Sequence, residues 1–175
     1  MLTERIKNKI RNIPDFPKPG INFKDVMPVL TDPTLCRDIV DAFAEYAREK
    51  KIDQICAIES RGFLFGTLLA QKLEVPFIPI RKEGKLPGDT LAYTYNLEYG
   101  SSVVEVQRGA IHEGANVLIH DDLLATGGTA VAAAELIRSH KAHVSAFTFL
   151  VILDFLHGRE KLKHYSDSIF GLVHY

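Results

Sequence analysis

The sequence predicts a single α/β domain whose central, mostly parallel sheet is flanked by helices. Its 175 residues fit one compact domain. From residue 54 onward, short apolar segments alternate with helical ones, which is typical of a sheet covered on both faces. Ligands of such sheets bind beyond the carboxyl ends of the strands, so we expect the functional residues there.

The N-terminal part predicts two helices separated by a proline-rich bend. Apolar residues spaced four apart from Leu2 define the first helix, which stops before Pro14. Asp32, followed by proline, starts a second helix that ends near Lys50. Residues 13–25 are therefore expected to form the bend between them.

The alternating elements follow. They are a strand at 54–58, a helix at 62–73, strands at 76–80 and 116–120, a helix at 128–139 and a strand at 143–153. Residues 84–114 break the alternation with a Pro-Gly pair, three tyrosines and a period-2 stretch. We expect a hairpin or excursion outside the main sheet there, serving as a lid.

Composition narrows the classes of function. The 21 Lys plus Arg balance 22 Asp plus Glu, so the chain lacks the excess of positive charge by which a protein binds nucleic acid or anionic lipid. No apolar run approaches the ~20 residues of a membrane span, and residues 1–9 lack the apolar core of a secretory signal, so a cytoplasmic protein is expected. Cys36 and Cys56 lie in apolar periodic segments and predict buried thiols, and the histidines show no zinc-ligand spacing. Any anionic ligand must therefore be held locally.

The strongest motif follows the strand at 116–120. Asp121 and Asp122 precede a Thr-Gly-Gly-Thr turn at 126–129 that opens an alanine-rich helix. Glycines let the backbone approach a phosphate, and a helix N-terminus offers free N–H groups. Ionised aspartates accept hydrogen bonds from sugar hydroxyls, which explains carboxylates beside a phosphate site. The motif predicts a ribose-5-phosphate site, and the alternative is an Asp cap on an ordinary glycine-rich turn.

Residues 121–129 also resemble the phosphoribosyl pyrophosphate (PRPP) motif of type I phosphoribosyltransferases, in a form similar to that of their adenine-specific members. Further similarity covers residues 16–25, 59–66, 80–88 and 97–100, in that order. The resemblance implies one type I phosphoribosyltransferase-like domain over the whole chain. A small hood from about residues 1–30 would bind the base, and a flexible lid from about residues 84–114 would close the site.

The resemblance assigns the PRPP site residue by residue. Ribose and phosphate binding are implied for Asp121, Asp122, Ala125, Thr126, Gly127, Gly128 and Thr129. Pyrophosphate binding is implied for Glu59, Ser60, Arg61, Arg81, Lys82 and Lys85, with a non-proline cis peptide in the first of these two loops. By chemistry alone Arg61 can grip phosphate oxygens, whereas a basic run such as 81–85 is also typical of a solvated turn.

The base site is assigned to the bend and to the PRPP motif. Phe23 offers a stacking face, Leu123 an apolar wall, and the backbone at Asn22 and Lys24 a carbonyl and an N–H for the Watson–Crick edge of adenine. Phe23 could equally be a core residue. Asn22 stands where members of the family commonly carry an apolar residue, so an inward-facing amide would alter the specificity.

Catalysis is implied for Glu98 and Arg61. Glu98 would orient the base or take its N9 proton, and Tyr99 would close the lid. His120 also stands where an apolar residue is usual, and we expect it to point away from the ligand because strand residues alternate.

The resemblance implies transfer of the 5-phosphoribosyl group from PRPP to adenine, which gives AMP and pyrophosphate. It implies Mg²⁺ as cofactor, held through PRPP and water with no direct protein ligand. It also implies a homodimer in which residues 81–85 could reach the neighbouring subunit's site. Two alternatives stay open: a phosphoribosyltransferase for another purine base, and a non-catalytic PRPP- or nucleotide-sensing regulator of the same fold.

Overall fold

The computed structural model describes residues 1–96 and 101–175. Its strands are β1 (Arg11–Ile13), β2 (Phe23–Asp25), β3 (Gln54–Ile58), β4 (Phe77–Lys82), β5 (Thr90–Asn96), β6 (Ser101–Gln107), β7 (Asn116–Leu124), β8 (His143–Ile152) and β9 (Ile169–His174). Its α-helices are α1 (Leu2–Lys9), α2 (Pro33–Arg48), α3 (Gly62–Leu73), α4 (Gly128–Ser139) and α5 (Gly158–Leu162). Short 3-10 helices lie at Met27–Thr31 and Asp154–Leu156.

Within the described residues, the main sheet has the strand order β5-β6-β4-β3-β7-β8-β9. Strands β4, β3, β7, β8 and β9 run parallel to one another, while β6 is antiparallel to β4 and β5 is antiparallel to β6. The predicted mostly parallel sheet is thus confirmed. Because β3 and β7 are central neighbours, the two loops that follow them open side by side at the carboxyl edge.

Helices cover both faces of this sheet. Side chains on one face pack with α4, as Cys56 and Ile119 do, and those on the other face pack with α2 and α3, as Ile55 and Leu118 do. Successive residues of each strand alternate between the two cores. Burial raises the pKa of the Cys56 thiol, whereas Cys36 is only partly buried, contrary to the prediction for that residue.

The excursion at residues 84–114 differs from its prediction. Strands β5 and β6 form an antiparallel hairpin, as the period-2 stretch indicated, but β6 joins the main sheet through β4, with Arg81 opposite Glu105. Val104 and Val106 are buried in the core beside α4. The alternation therefore marks an edge strand with one apolar face.

Two further differences concern strand β7 and the C-terminal part. Strand β7 continues to Leu124 because β8 pairs with it up to that residue, so the Asp pair lies inside the strand and not after it. The sequence analysis did not predict α5 or β9, and β9 completes the sheet beside β8. In the part of the chain that the structure describes, no helix is long and apolar enough to cross a membrane.

The predicted N-terminal hood is a small two-stranded antiparallel sheet, β1 with β2, in which Arg11 pairs with Asp25 at 2.6 Å. The bend that links the two strands begins with a cis Phe16–Pro17 peptide. Helix α1 anchors the hood to the main body through Ile6, which is fully buried beside α2.

Candidate active site

The phosphate loop, residues 125–129, connects β7 to α4. It surrounds a cavity of about 90 Å³ that is lined by Asp121, Leu123, Leu124, Ala125, Thr126, Gly127, Gly128, Thr129 and Ala130. Six of the seven residues predicted for ribose and phosphate thus line this one cavity, and Asp122 does not. The start of α4 directs free backbone N–H groups toward the loop, which favours an anion there.

Gly127 needs to be glycine for two reasons. Its φ is +82°, a left-handed value, and a Cβ there would lie 2.9 Å from the carbonyl oxygen of Gly158. Gly158 is even more constrained, because a Cβ on it would lie 2.1 Å from the carbonyl oxygen of Ala125. The start of α5 thus supports the phosphate loop from behind. Gly158 was not predicted from the sequence, because its local signal is only a glycine at the start of a short helix.

Tyr95 of β5 also reaches this loop. Its hydroxyl lies 3.2 Å from the Thr129 Oγ1, and its ring faces Gly128, where a Cβ would be 3.7 Å away. The edge hairpin is therefore in contact with the start of α4 through Tyr95. The three tyrosines of the excursion were noted in the sequence, but this contact depends on β5 lying across α4.

The loop that is predicted to bind pyrophosphate, here called the pyrophosphate loop, follows β3, and its Glu59–Ser60 peptide is cis. Gly62 then begins α3, and a Cβ on Gly62 would lie 2.9 Å from the His120 carbonyl oxygen and 3.1 Å from Asp121 Oδ1. Only glycine lets α3 begin so close to β7. This contact sets the pyrophosphate loop beside the Asp pair.

Glu59 and Arg81 form one hydrogen-bonded unit. Arg81 Nε and Nη2 each donate to the Glu59 carboxylate at 3.2 Å, the Lys82 N–H donates to it at 2.9 Å, and Arg81 Nη1 donates to the Lys85 carbonyl. Burial alone would raise the pKa of Glu59, but the Lys82 N–H and the Arg81 guanidinium outweigh it and lower that pKa. In this arrangement Glu59 and Arg81 shape the basic loop.

The basic loop has a second support, Glu105, which the sequence analysis did not single out. This carboxylate is 5% exposed. It accepts hydrogen bonds from the Lys85 and Leu86 N–H groups and from the Thr90 hydroxyl. Three donors satisfy a buried carboxylate and fix the path of the chain after Lys82.

A second cavity, of about 230 Å³, adjoins the phosphate loop. Its lining includes Glu59, Arg81, Lys82, Tyr95, Asp121 and Thr129. Asp121 and Thr129 line both cavities, so the two lie side by side. Ser60 and Lys85 are exposed and do not line this cavity. The site thus has a glycine-rich anion cradle on one side and a basic wall on the other.

The two aspartates of the motif have different surroundings. Asp121 faces the cavities and accepts a hydrogen bond from the Asp122 N–H through its Oδ1, at 2.8 Å. Asp122 is 3% exposed and pairs with Arg61, whose Nε lies 3.0 Å from Asp122 Oδ2. Burial, joined by the neighbouring Asp122 charge, raises the pKa of Asp121, and burial raises that of Asp122 against the opposing effect of Arg61. A ligand that donates hydrogen bonds would favour the ionised forms.

Arg61 connects this pair to the hood. Its guanidinium carbon lies 5.4 Å from the centroid of the Phe23 ring. Phe16 also packs against the Phe23 ring in an edge-to-face arrangement, with the two ring centroids 5.2 Å apart. Phe23 is half-buried, so it is not the core residue that the alternative interpretation required. Its ring borders the site beside Arg61.

The other residues predicted for the base lie around Phe23 and along β7. Asn22 is exposed, and Lys24 lies in β2 with its Nζ 2.6 Å from Asn12 Oδ1. Leu123 lines the phosphate cavity. His120 is fully buried, packs against Phe43 and hydrogen bonds through Nδ1 with Thr148 Oγ1, so its ring lies in the core as expected. Burial lowers its pKa to about 3.

Two predicted residues, Glu98 and Tyr99, lie outside the described residues. Over residues 1–96 and 101–175, no three His, Cys, Asp or Glu side chains group together as a metal site. The carboxylates that border the second cavity are those of Glu59 and Asp121. Carboxylate oxygens suit Mg²⁺, which usually keeps several waters and is bound through one or two carboxylates together with substrate phosphates.

Comparison with known proteins agrees with the geometry of the site. A family model described as the phosphoribosyl transferase domain matches residues 29–173. An adenine phosphoribosyltransferase from Cytophaga hutchinsonii is 47% identical over 100% of this chain and 97% of its own length, and one from Nitrosococcus oceani is 51% identical over 98% and 99%.

Solved structures extend the similarity to three dimensions. The crystal structure of adenine phosphoribosyltransferase from Thermoanaerobacter pseudethanolicus is 48% identical, with a TM-score of 0.94 over 99% of each chain. The enzyme from Saccharomyces cerevisiae, complexed with adenine and an imino-altritol bisphosphate, is 44% identical, with a TM-score of 0.91 over 98% of each chain. Sequence, fold and the paired phosphate loops agree, and the chain belongs to the adenine phosphoribosyltransferases of the phosphoribosyl transferase family.

Proposed function

We propose that this chain transfers the 5-phosphoribosyl group from PRPP to adenine and releases AMP and pyrophosphate. The observation that carries the proposal is the pair of adjoining cavities that share Asp121 and Thr129. One is a glycine-rich cradle for a phosphate, and the other is bordered by basic residues. A sugar with a phosphate on one end and a pyrophosphate on the other fits this order.

The 5′-phosphate would bind the phosphate loop, where the N–H groups of residues 126–129 and two threonine hydroxyls can donate to it. The ribose hydroxyls would then donate to Asp121, which lines both cavities, while Asp122 stays buried against Arg61. These bonds favour the ionised form of Asp121 and offset the effect of burial on its pKa. Arg61, already paired with Asp122, keeps a positive charge beside the ribose.

In the reaction, the bond between adenine N9 and the anomeric carbon forms, and the bond from that carbon to a pyrophosphate oxygen breaks. The electron pair leaves with pyrophosphate, and the N9 proton passes to a base, the role proposed for Glu98. Lys82 in the second cavity, together with Arg61 and Lys85, would stabilise the charge that grows on the leaving group. Arg81 would act through its bonds to Glu59 and Lys85, which shape this wall.

Adenine would stack on Phe23 and contact Leu123, with the backbone of Asn22 and Lys24 reading its Watson–Crick edge. Adenine donates at N6 and accepts at N1, and a 6-oxopurine reverses both, so a fixed carbonyl and N–H discriminate between them. Because the Asn22 side chain is exposed, only the backbone of that residue is assigned to recognition. Tyr99 would help to close the lid.

Mg²⁺ is the proposed cofactor, held chiefly by PRPP, pyrophosphate and water, with Asp121 as the adjacent carboxylate. When bound, it would neutralise charge on the pyrophosphate oxygens. The second cavity supports this proposal, because two carboxylates border it and carboxylate oxygens are suitable ligands for Mg²⁺. Glu59 already accepts hydrogen bonds from Arg81 and Lys82, so Asp121 is the carboxylate that we assign to the ion.

A homodimer and a cytoplasmic location complete the proposal. The dimer is supported by a cleft of about 730 Å³ between α2 and α3, bordered by Leu30, Pro33, Val40 and Leu68. Leu68 is 42% exposed in the single chain. Exposed apolar surface of this kind is typical of a contact between proteins.

The deciding experiment measures AMP formation from adenine and PRPP with Mg²⁺, with hypoxanthine and guanine as competing bases. Adenine should be the preferred base, and faster turnover of a 6-oxopurine would refute the specificity. The double variant Asp121→Asn/Asp122→Asn should lose PRPP affinity. Asp53→Asn, at the opposite end of β3, is the control and should keep it. Unchanged PRPP affinity in the double variant would contradict the assignment of the ribose site.

A further inference from the structure

The base-binding strand β2 is held from two sides. Its residues alternate in direction, so Phe23 faces Arg61 while the side chain of Lys24 projects from the opposite face. There the Lys24 Nζ lies 4.0 Å from the centroid of the Tyr175 ring and 2.6 Å from Asn12 Oδ1. A cation over a tyrosine face at this distance is attracted by the ring.

Tyr175 is fixed to the main sheet by its backbone. Its N–H donates to the Ile152 carbonyl at 3.1 Å, and its carbonyl accepts from the Asp154 N–H at 2.9 Å. Ile152 is the register partner of Leu124, which directly follows Leu123. Tyr175 therefore links β2, which carries Phe23, to β8, and through the pairing of β8 with β7 to the strand that carries Leu123.

We propose that Tyr175 is a positioning residue for adenine: its ring holds Lys24, and through Lys24 the backbone of β2, at a fixed distance from Leu123. The proposal rests on the proposed function in assigning Phe23, Lys24 and Leu123 to the base. It predicts that Tyr175 affects adenine binding and leaves PRPP binding unchanged, because the phosphate loop and the Asp pair lie outside this link.

The test compares Tyr175→Leu with Tyr175→Phe. Leucine keeps apolar bulk but removes the ring, whereas phenylalanine keeps the ring and loses only the hydroxyl. Tyr175→Leu should raise the KM for adenine by about two- to fivefold, which corresponds to the ~0.5–1 kcal/mol of an exposed cation–π contact. Tyr175→Phe should keep the wild-type KM, and the KM for PRPP should not change in either variant.

Lys7 supplies a matched control, because its Nζ also lies over the Tyr175 ring, 5.8 Å from the centroid, but it belongs to α1 and not to β2. Lys24→Met removes the contact with the Tyr175 ring and the hydrogen bond to Asn12, and it should raise the KM for adenine. Adding Tyr175→Leu to Lys24→Met should raise that KM little further, because the ring contact is already lost. Lys7→Met should leave the KM for adenine unchanged. A wild-type KM for adenine in Tyr175→Leu, or equal rises for adenine and PRPP, would overturn the proposal.

A measurement without catalysis separates this proposal from the proposed function. Hydrogen exchange of the amides at residues 22–25 should be faster in Tyr175→Leu than in the wild type and unchanged in Tyr175→Phe. If the wild type made no AMP, the proposed function would fail, and the exchange result would still decide whether Tyr175 holds β2. Equal exchange rates in all three proteins would refute the link.

Discussion

Replacing Gly158 by alanine should damage the phosphate loop without replacing any residue that is assigned to PRPP binding. The new Cβ would lie 2.1 Å from the Ala125 carbonyl oxygen and 2.9 Å from the Gly127 nitrogen. The first distance has to grow from 2.1 Å to at least 3.0 Å, so one backbone must move against the other by about 0.9 Å. A misplacement of ~1 Å can reduce catalytic efficiency by about 100-fold.

We therefore expect Gly158→Ala to lower kcat/KM for PRPP by about 10- to 100-fold. Overpacking of this kind should also lower the free energy of unfolding by about 1–3 kcal/mol. The assay is initial-rate formation of AMP at saturating adenine, with urea unfolding of the same preparations.

Gly114→Ala is the control for general destabilisation. Gly114 has a φ of +78°, and among the described residues, its two chain neighbours apart, no heavy atom lies within 4 Å of the position that a Cβ would take. Alanine there therefore costs backbone strain but displaces no packed neighbour. It should lose about 1–2 kcal/mol of stability and keep its kcat/KM for PRPP. A Gly158→Ala enzyme with wild-type kcat/KM for PRPP would refute the support that we assign to α5.

Three further outcomes are expected. The Lys82 N–H and the Arg81 guanidinium outweigh burial and lower the pKa of Glu59 below its ordinary 4.5. The ionised carboxylate therefore stabilises the fold above pH 4.5. This stabilisation is lost as the pH falls through the lowered pKa of the folded state. Urea unfolding should therefore show an advantage of the wild type over Glu59→Gln at pH 7 that shrinks at acidic pH, and a pH-independent difference would contradict this. Chelation of Mg²⁺ should reduce AMP formation by about 100-fold, with recovery on adding Mg²⁺ back, and full activity in chelator would exclude the proposed cofactor. Glu98→Gln should lower kcat by about 100-fold with little change in the KM for PRPP, and an unchanged kcat would remove the proton-transfer role.

The phosphate loop shows how far local sequence reaches. Thr126, Gly127 and Thr129 could be identified because glycine conformation and a helix start act within a few neighbouring residues. Gly158 lies far away in the chain, and its requirement for glycine arises only when α5 packs behind that loop. A glycine before a short helix has no local pattern that distinguishes it from an ordinary turn.

The basic segment, residues 81–85, shows what charge alone does not predict. Its residues Arg81, Lys82 and Lys85 were grouped by charge, and the structure gives them different surroundings. Arg81 is bonded to Glu59, Lys82 borders the second cavity, and Lys85 is exposed while its N–H bonds to Glu105. These differences depend on where β4 ends, at Lys82, and on the carboxylates that β3 and β6 bring to this part of the chain.

The sequence by itself determined the alternation of strands and helices, the position of the loops after β3 and β7, and the family, because each depends on short-range periodicity or on a contiguous motif. Tertiary structure alone decided which carboxylate faces the cavities and which pairs with Arg61, since that depends on the opposite directions of successive side chains in β7 and on the close approach of the start of α3. It also joined Tyr95 to Thr129 and Tyr175 to Lys24, over separations that no local pattern spans. Packing brings such residues together, and only the folded chain sets their distances.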